Sequence, residues 1–539
     1  MLRLEMTCAA AVLLAASSAA LSAVVYVSKS GSDAYTGSSW ASAKKTIRAA
    51  LDAAAYGDQV WVAAGSYWEN ITLKDGVALY GGFASVGGAW GTRNWSANVT
   101  EINGGQSNTA VKSAYGAGSG TCIDGFLIQN GRADVGAGIY CYRSSPVISN
   151  NRIKWNYTAG YNSYGGGICC EYASPIITGN IIELNIATYG GGVYCSAYSQ
   201  PVISGNTFTG NTGTYGGGIY CADYASPTIS NNTISGNGHG IYCDAGSSPS
   251  ISSNTISNNS GTQGAGVFCA YSSPSIILNT IKSNVATDSG GGIYCDNSSP
   301  SITGNLITAN RAVTGAGVAV KFDSSPIVTS NTIASNIGSG TSGGGLAWYG
   351  ASATVANNII YANSSGVCKD TYSYGTPISR TNCSYGNGLG NWLGISSGSG
   401  DISANPAFGA DYRLGALSPC INAGSNLAGL LATDIDGQAR IWAGTVDMGA
   451  DEFRASVTGL ADVKATQSGS WVETGGMRVT AAFSGFFYVE SDDRSSGVRV
   501  KLPGHAFAEG ARVSVTGKIA LGDEGERYIE AAEAVVSPD

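Results

Sequence analysis

The feature that most restricts this chain is a repeat, clearest at residues 290–295 (Gly-Gly-Gly-Ile-Tyr-Cys), followed by Pro300, Asn305, Ile307 and Asn310. The position of Cys295 is held by Cys141, Cys170, Cys195, Cys221, Cys243 and Cys269 in earlier copies, 22 to 29 residues apart, and by Val320 and Trp348 in later ones. A unit this short cannot bury its own apolar face, so the copies must stack into a solenoid.

Three apolar columns run through the stack. One passes through Ile139, Ile168, Val193, Ile219, Ile241, Val267 and Ile293, the second through Ile148, Ile177, Ile203, Ile229 and Ile251, and the third through Ile153, Ile182, Phe208, Ile234 and Ile256. Three short strands per repeat, each paired with its equivalent in the next coil about 4.8 Å away, predict an all-β, three-faced parallel β-helix. Two asparagine columns, Asn151 to Asn331 and Asn156 to Asn336, mark the corners, where a short amide tolerates turn dihedrals and bonds to the coil above.

Composition supports this and removes other classes. With 43% hydrophobic and 12% charged residues the chain is no disordered polyelectrolyte, and 78 glycines beside only 13 prolines are not collagen. A net charge of −8 without a basic run argues against a nucleic-acid partner.

Residues 1–23 carry Arg3, an apolar run from Ala9 to Leu21 and a small-residue boundary at Ala20, Ser22 or Ala23, the pattern of a cleaved secretory signal. No transmembrane segment is expected in the mature chain, and a secreted or cell-surface location follows. Residues 24–122 read as an N-terminal cap and first coils, with a strand at Val24 to Val27 and a capping helix over Ala41 to Ala55, its N-cap at Ser39 or Ser42. Regular repeats fill 123–365, and the last coils with a C-terminal cap fill 366–453. From 455 to 539 the columns stop and five alternating segments, Met477 to Phe483, Phe486 to Glu490, Val498 to Leu502, Arg512 to Leu521 and Arg527 to Val536, predict a small β-barrel, in which Phe487 to Glu490 with Gly497 to Val500 resembles OB-like domains. That segment has twelve acids against eight bases, favouring a sugar, a protein or no ligand over nucleic acid.

In these columns the chain from Val24 to about Phe453 resembles the right-handed parallel β-helix proteins of the pectin-lyase-like superfamily. Asp411 to Leu414, Ser418 to Gly424, Asp434 to Gly437 and Val446 to Gly449 are similar to the terminal segment of bacterial surface β-helices. The resemblance implies a right-handed coil and places the cysteine-bearing strand on the face that floors the family's ligand cleft. It implies little about chemistry.

Alternation within that strand puts Ile293 and Cys295 inside and Tyr294 outside. The seven sulfurs should form a buried file of free thiols, because in-register side chains provide neither tetrahedral zinc geometry nor disulfide spacing. Cys383 and Cys420, in the cap, form a disulfide if the compartment is oxidising. The outward face carries an aromatic stripe, Tyr140, Tyr194, Tyr220, Tyr242, Phe268 and Tyr294, interrupted by Cys169. It serves either to stack on sugar rings or to stabilise adjacent strands. One residue further on stand Glu171, Asp244, Asp296 and Lys321. Asp244 and Asp296 are two coils, about 10 Å, apart, near the upper spacing of inverting glycosidases. His239 lies in the coil of Asp244, whose loop is the shortest, so a notch is expected there. These residues are either a catalytic set (Asp244, Asp296, His239, Lys321) or solvated surface charge.

The strings at 238–240 and 152–154 resemble polygalacturonase signatures, but in the wrong order and without paired aspartates. Asp434 to Gly437 begins like a calcium loop without its later ligands, so no cofactor is expected and Ca2+ is left as an unsupported alternative. The preferred function is a glycan-binding or adhesive surface protein acting on a polysaccharide or cell-surface glycan. The alternatives are a polysaccharide lyase or glycoside hydrolase on the same face, and a structural spacer.

Overall fold

A computed structural model describes residues 22–349, 352–370, 373, 375–455, 459–522 and 525–537. The expected signal segment lies outside them, apart from its last two residues. From Val24 to Leu393 the chain winds into a parallel β-solenoid with three long sheets. The proline sheet has 14 strands, from Val24–Val27 to Ile378–Arg380. The cysteine sheet has 13, from Ile71–Leu73 to Trp392–Leu393, and the asparagine sheet 13, from Gly65–Tyr67 to Cys383–Tyr385.

Register follows the sequence columns. Ile293, Tyr294 and Cys295 pair with Val267, Phe268 and Cys269 on one side and with Val318, Ala319 and Val320 on the other. The three aliphatic columns and the cysteine file meet in one continuous core, where Cys141, Cys170, Cys195, Cys221, Cys243, Cys269 and Cys295 are all fully buried free thiols. Glycine in the turn before this strand has a steric reason. Gly290 has φ +65°, and a Cβ on Gly292 would come within 2.5 Å of the Gly317 carbonyl oxygen.

The asparagines close the corners as ladders. Asn254 Oδ1 accepts from the Asn232 backbone N–H at 2.9 Å and from Asn232 Nδ2 at 3.0 Å, while its own Nδ2 donates to the Ile229 carbonyl at 2.9 Å and to Asn279 Oδ1 at 3.0 Å. The same pattern continues into the last coils through Asn358 and Asn382, and through Asn363 and Asn387.

A fourth strand, unforeseen from the columns, follows the second asparagine. It forms two four-stranded strips, one from Arg132–Ala133 to Thr212–Tyr215 and one from Ser260–Gln263 to Ile337–Gly338. The coil between them has only Gly238 and His239 at this place, joined by the single bridge of Gly238 to Ser260. The expected notch is a gap in this strip.

At the N-terminal end the helix is shorter than its periodicity suggests, Ile47–Ala53. Residues just before it are drawn into extended conformation, Lys44 bridging Val27 and Asp33 Oδ1 accepting from the Lys45 and Thr46 N–H groups. Thr46 is therefore the N-cap, accepting from Ala49 N, and Ser39 caps a separate 3-10 turn, Trp40–Ser42. Ile47, Ala50 and Leu51 plug the open coil and join its core.

At the other end, the segment 394–453 folds back over the last coils and is held by buried carboxylates. Asp447 accepts from Asn422 N and Phe453 N, Glu452 from Trp442 N and Asp447 N, and Asp434 from Asp436 N, Gln438 N and Glu452 N. The acceptors of Asp434 are thus spent on backbone, and Asp436 is tied to Arg413 at 2.6 Å, which leaves the 434–437 loop as a turn. Cys383 and Cys420 are free thiols in hydrogen-bond contact with each other, unbridged.

The five C-terminal strands, Trp471–Phe483, Phe486–Glu490, Gly497–Lys501, Arg512–Leu521 and Arg527–Val536, close a barrel. Its order is first, second, third, fifth, fourth and back to first, with third and fifth parallel. Helix Leu460–Ala465 inserts Leu460 and Val463 into its core. The first strand starts earlier than Met477 because Trp471 anchors the barrel to the cap, its ring 5.6 Å from Trp442. No helix among the described residues is long and apolar enough to cross a membrane.

Candidate functional site

The outer face of the cysteine sheet carries the aromatic stripe as a stacked ladder. Ring centroids are 5.7 Å apart for Tyr194 and Tyr220, 5.1 Å for Tyr220 and Tyr242, 4.1 Å for Tyr242 and Phe268, and 5.1 Å for Phe268 and Tyr294. The ladder is not open to solvent, since these five residues are only 1 to 8% exposed. A second tyrosine ladder from the fourth-strand strip leans on it. Tyr164, Tyr189 and Tyr215 stack on one another at 5.3 and 5.1 Å, and they meet Tyr194, Tyr220 and Tyr242 at 4.9 to 5.6 Å. The stripe is thus a satellite core between coil and strip, and burial pushes the pKa of Tyr194, Tyr220, Tyr242 and Tyr294 well above the ordinary phenol range. Tyr140, at the end of the ladder, is less covered and donates to Glu171 Oε2 at 2.7 Å.

The open aromatic rings lie beside this ladder, at the corner between the cysteine and proline sheets. Tyr172, Tyr198, Tyr224 and Tyr271 are 50 to 66% exposed, and Phe322 continues the row. Their backbones are left-handed, with φ from +45° to +61°, a conformation that gives no preference to a bulky ring. Tyr198 and Tyr224 stack face to face at 5.3 Å, and Gly246 leaves room for the edge of Tyr224, whose Cε1 would be 2.7 Å from a Cβ there. Between this row and the second ladder runs a groove of about 450 Å³, with Tyr194 and Cys169 in its floor, Tyr164 and Val135 on one wall, Tyr172, Tyr198 and Tyr224 on the other, and Glu171 and Asp223 at its edge. Of the residues singled out from sequence, it contains Glu171 and Tyr194.

The remaining charged candidates occupy the next coils. Asp244 accepts from the Tyr220 hydroxyl at 3.1 Å and from Ala245 N at 2.7 Å. Ala270 stands between it and Asp296, so the two carboxylates are two strands, about 10 Å, apart. Burial raises the Asp296 pKa above the usual carboxylate range, with the charge of Asp244 adding to the effect and Asn297, Lys321 and Tyr294 opposing it. Lys321 pairs in register with Asp296, lies 4.0 Å from Asp288 and sits over the rings of Tyr294 and Tyr349. His239 does not join this column. It is buried in the strip gap, edge-on to Tyr242, and a Cβ on Gly261 would come within 2.3 Å of its Nε2. Its Nδ1 has no partner, and burial lowers its pKa against the opposing effect of the Gly238 and Gln263 backbone. No cluster of three or more metal-ligating side chains occurs among the described residues.

The exposed corner row and the second ladder were missed from sequence, although both leave a signal. Tyr164, Tyr189 and Tyr215 each stand directly before the first turn glycine, and Tyr172, Tyr198, Tyr224 and Tyr271 follow the column cysteine by two or three residues.

The family of the right handed beta helix region matches residues 137–307 and 269–405, and a family described as a protein of unknown function (DUF1565) matches residues 29–217. None of the curated proteins compared matches the sequence. Among solved structures, the complex of XylC with xylose is similar with a TM-score of 0.41 and 10% identity, over 79% of this chain and 98% of that one. The pectate lyase Pel9A follows at a TM-score of 0.35 and 14% identity, over 80% and 96%. An alginate lyase of the PL6 family gives 0.34 and 11%, over 83% and 64%.

Proposed function

Since the chain is a right-handed parallel β-helix, a fold that offers one long side to a partner, we propose that it is a secreted or surface protein that binds a glycan chain in the groove beside the cysteine sheet. One observation carries this reading: the rings of Tyr172, Tyr198 and Tyr224 stand half or more exposed along a groove, unused by the core. Exposed aromatic faces suit the apolar faces of sugar rings, and carboxylates at the edge suit their hydroxyls. Adjacent coils repeat this pairing along the axis, which fits a chain better than a compact ligand. The barrel is an accessory module, and its strand order with a parallel third and fifth strand supports the OB-like reading.

The test is binding of the full chain to a glycan panel, compared with Tyr198→Ala/Tyr224→Ala. Both rings are solvent-facing, so the variant should keep its circular dichroism and lose about 1 kcal/mol or more of binding per ring. Retention of no glycan, or equal binding by the variant, overturns the reading. A lyase or hydrolase reading draws on the column of Asp244, Asp296 and Lys321, in which burial raises the Asp296 pKa. Products released from a polysaccharide panel and abolished by Asp244→Asn would establish it.

A further inference from the structure

We infer that the groove selects glycans bearing free amino groups, of the glucosamine kind, over polyuronates. The inference rests on the glycan-binding reading above and adds the charge of the ligand to it.

The side of the solenoid that holds the groove is charged in one sense. From the coil of Tyr172 to that of Asp296 it presents Glu171, Asp223, Asp244, Asp288 and Asp296. The lysines and arginines of the same stretch of chain lie elsewhere, Lys282 on the asparagine sheet and Arg311 in the outer strip. Cations appear only at the two ends, and both are engaged. Arg143 lies over the rings of Tyr142 and Tyr172 at 5.6 and 5.1 Å, and Lys321 is shared between Asp288 and the rings of Tyr294 and Tyr349.

The carboxylates between these ends are incompletely neutralised. Glu171 accepts from one phenol and Asp244 from one phenol and one backbone N–H, and no cationic side chain forms an ion pair with Glu171, Asp223, Asp244 or Asp296 among the described residues. A polyuronate laid along this side would set its carboxylates against them, at a spacing where like charges repel. A chain of protonated amines would meet carboxylates at the edge and ring faces of Tyr172, Tyr198 and Tyr224, where a cation over an aromatic face is also favoured. Charge complementarity and the exposed rings therefore select the same ligand.

The experiment measures affinity of the full chain for three probes at mildly acid pH: a glucosamine hexamer, its fully N-acetylated counterpart and an oligogalacturonate. The glucosamine hexamer should bind at least about tenfold tighter than the N-acetylated one, and rising salt should weaken it. Asp223→Asn/Asp244→Asn should weaken the glucosamine hexamer several-fold more than it weakens the N-acetylated hexamer, because only the former loses a charge partner as well as a hydroxyl acceptor. Equal binding of both hexamers, or preference for the oligogalacturonate, overturns the inference while leaving glycan binding in place. Retention of no sugar, in this set or in the wider panel, overturns the glycan reading itself.

Discussion

Replacing Asn254 with alanine tests the corner ladder directly. The side chain is 1% exposed and takes part in four hydrogen bonds to neighbouring coils. Its removal leaves the Asn232 backbone N–H and one N–H of Asn232 Nδ2 buried without an acceptor, and the Ile229 carbonyl loses a donor. Two buried donors orphaned at about 1–3 kcal/mol each give a destabilisation of about 2–6 kcal/mol. Asn254→Asp should be no better, since it keeps the acceptor, loses both donations and buries a charge. Thr233→Ala, an outward and exposed change on a neighbouring coil, is the control and should stay within about 0.5 kcal/mol. Because a solenoid yields coil by coil, the sharper assay is native-state hydrogen exchange across the coils of Ile229 to Ile281. Exchange there should accelerate at least about thirtyfold in Asn254→Ala, with distant coils unchanged. If Asn254→Ala and Thr233→Ala exchange and denature alike, the asparagine columns are not what closes the corners.

The cysteine file and the cap give two further expectations. The seven buried thiols of the file should not react with a thiol reagent until the protein is unfolded, and Cys243→Ser should destabilise by about 1–3 kcal/mol because a buried hydroxyl is left with only the weakly bonding thiols of Cys221 and Cys269 beside it. Reaction of those thiols in the folded protein would refute this. In the cap, burial raises the pKa values of Asp447, Asp451 and Glu452 above their unfolded values, Asp451 to about 6, against the backbone N–H bonds and the charges of Arg440 and Arg413 that lower them. A folded pKa raised in this way gives stability that is complete below the unfolded carboxylate pKa and is lost as pH rises through the folded one. Denaturation midpoints of the cap should therefore fall between about pH 4 and about pH 8. A midpoint that rises over that range would show that backbone bonding, not burial, governs these carboxylates.

How far the sequence reached depended on whether a residue's environment is set by its own repeat. Ile293, Cys295, Asn305 and Asn310 see only their own coil and the coils directly above and below, so period alone fixes their burial, register and hydrogen bonding. The capping helix and the first barrel strand were located but misjudged in extent. Their ends depend on Asp33 reaching across to Lys45 and Thr46, and on Trp471 packing against Trp442, contacts between segments that periodicity does not report.

The outward face shows the same division more sharply. Strand alternation correctly turned Tyr294 and Tyr242 away from the coil, but facing away from the coil is not facing solvent. The strip that carries Tyr164, Tyr189 and Tyr215 folds over that ladder and buries it, and only the path of the chain between two coils decides this. The same folding leaves Tyr172, Tyr198 and Tyr224 open at the corner and confines His239 to the gap in the strip. The sequence by itself determined a stacked β-helix, its core columns and its asparagine corners, because those are nearest-neighbour interactions at a constant period. Which aromatic rings a ligand reaches was decided by the tertiary structure, because exposure depends on what a loop of variable length lays across the face.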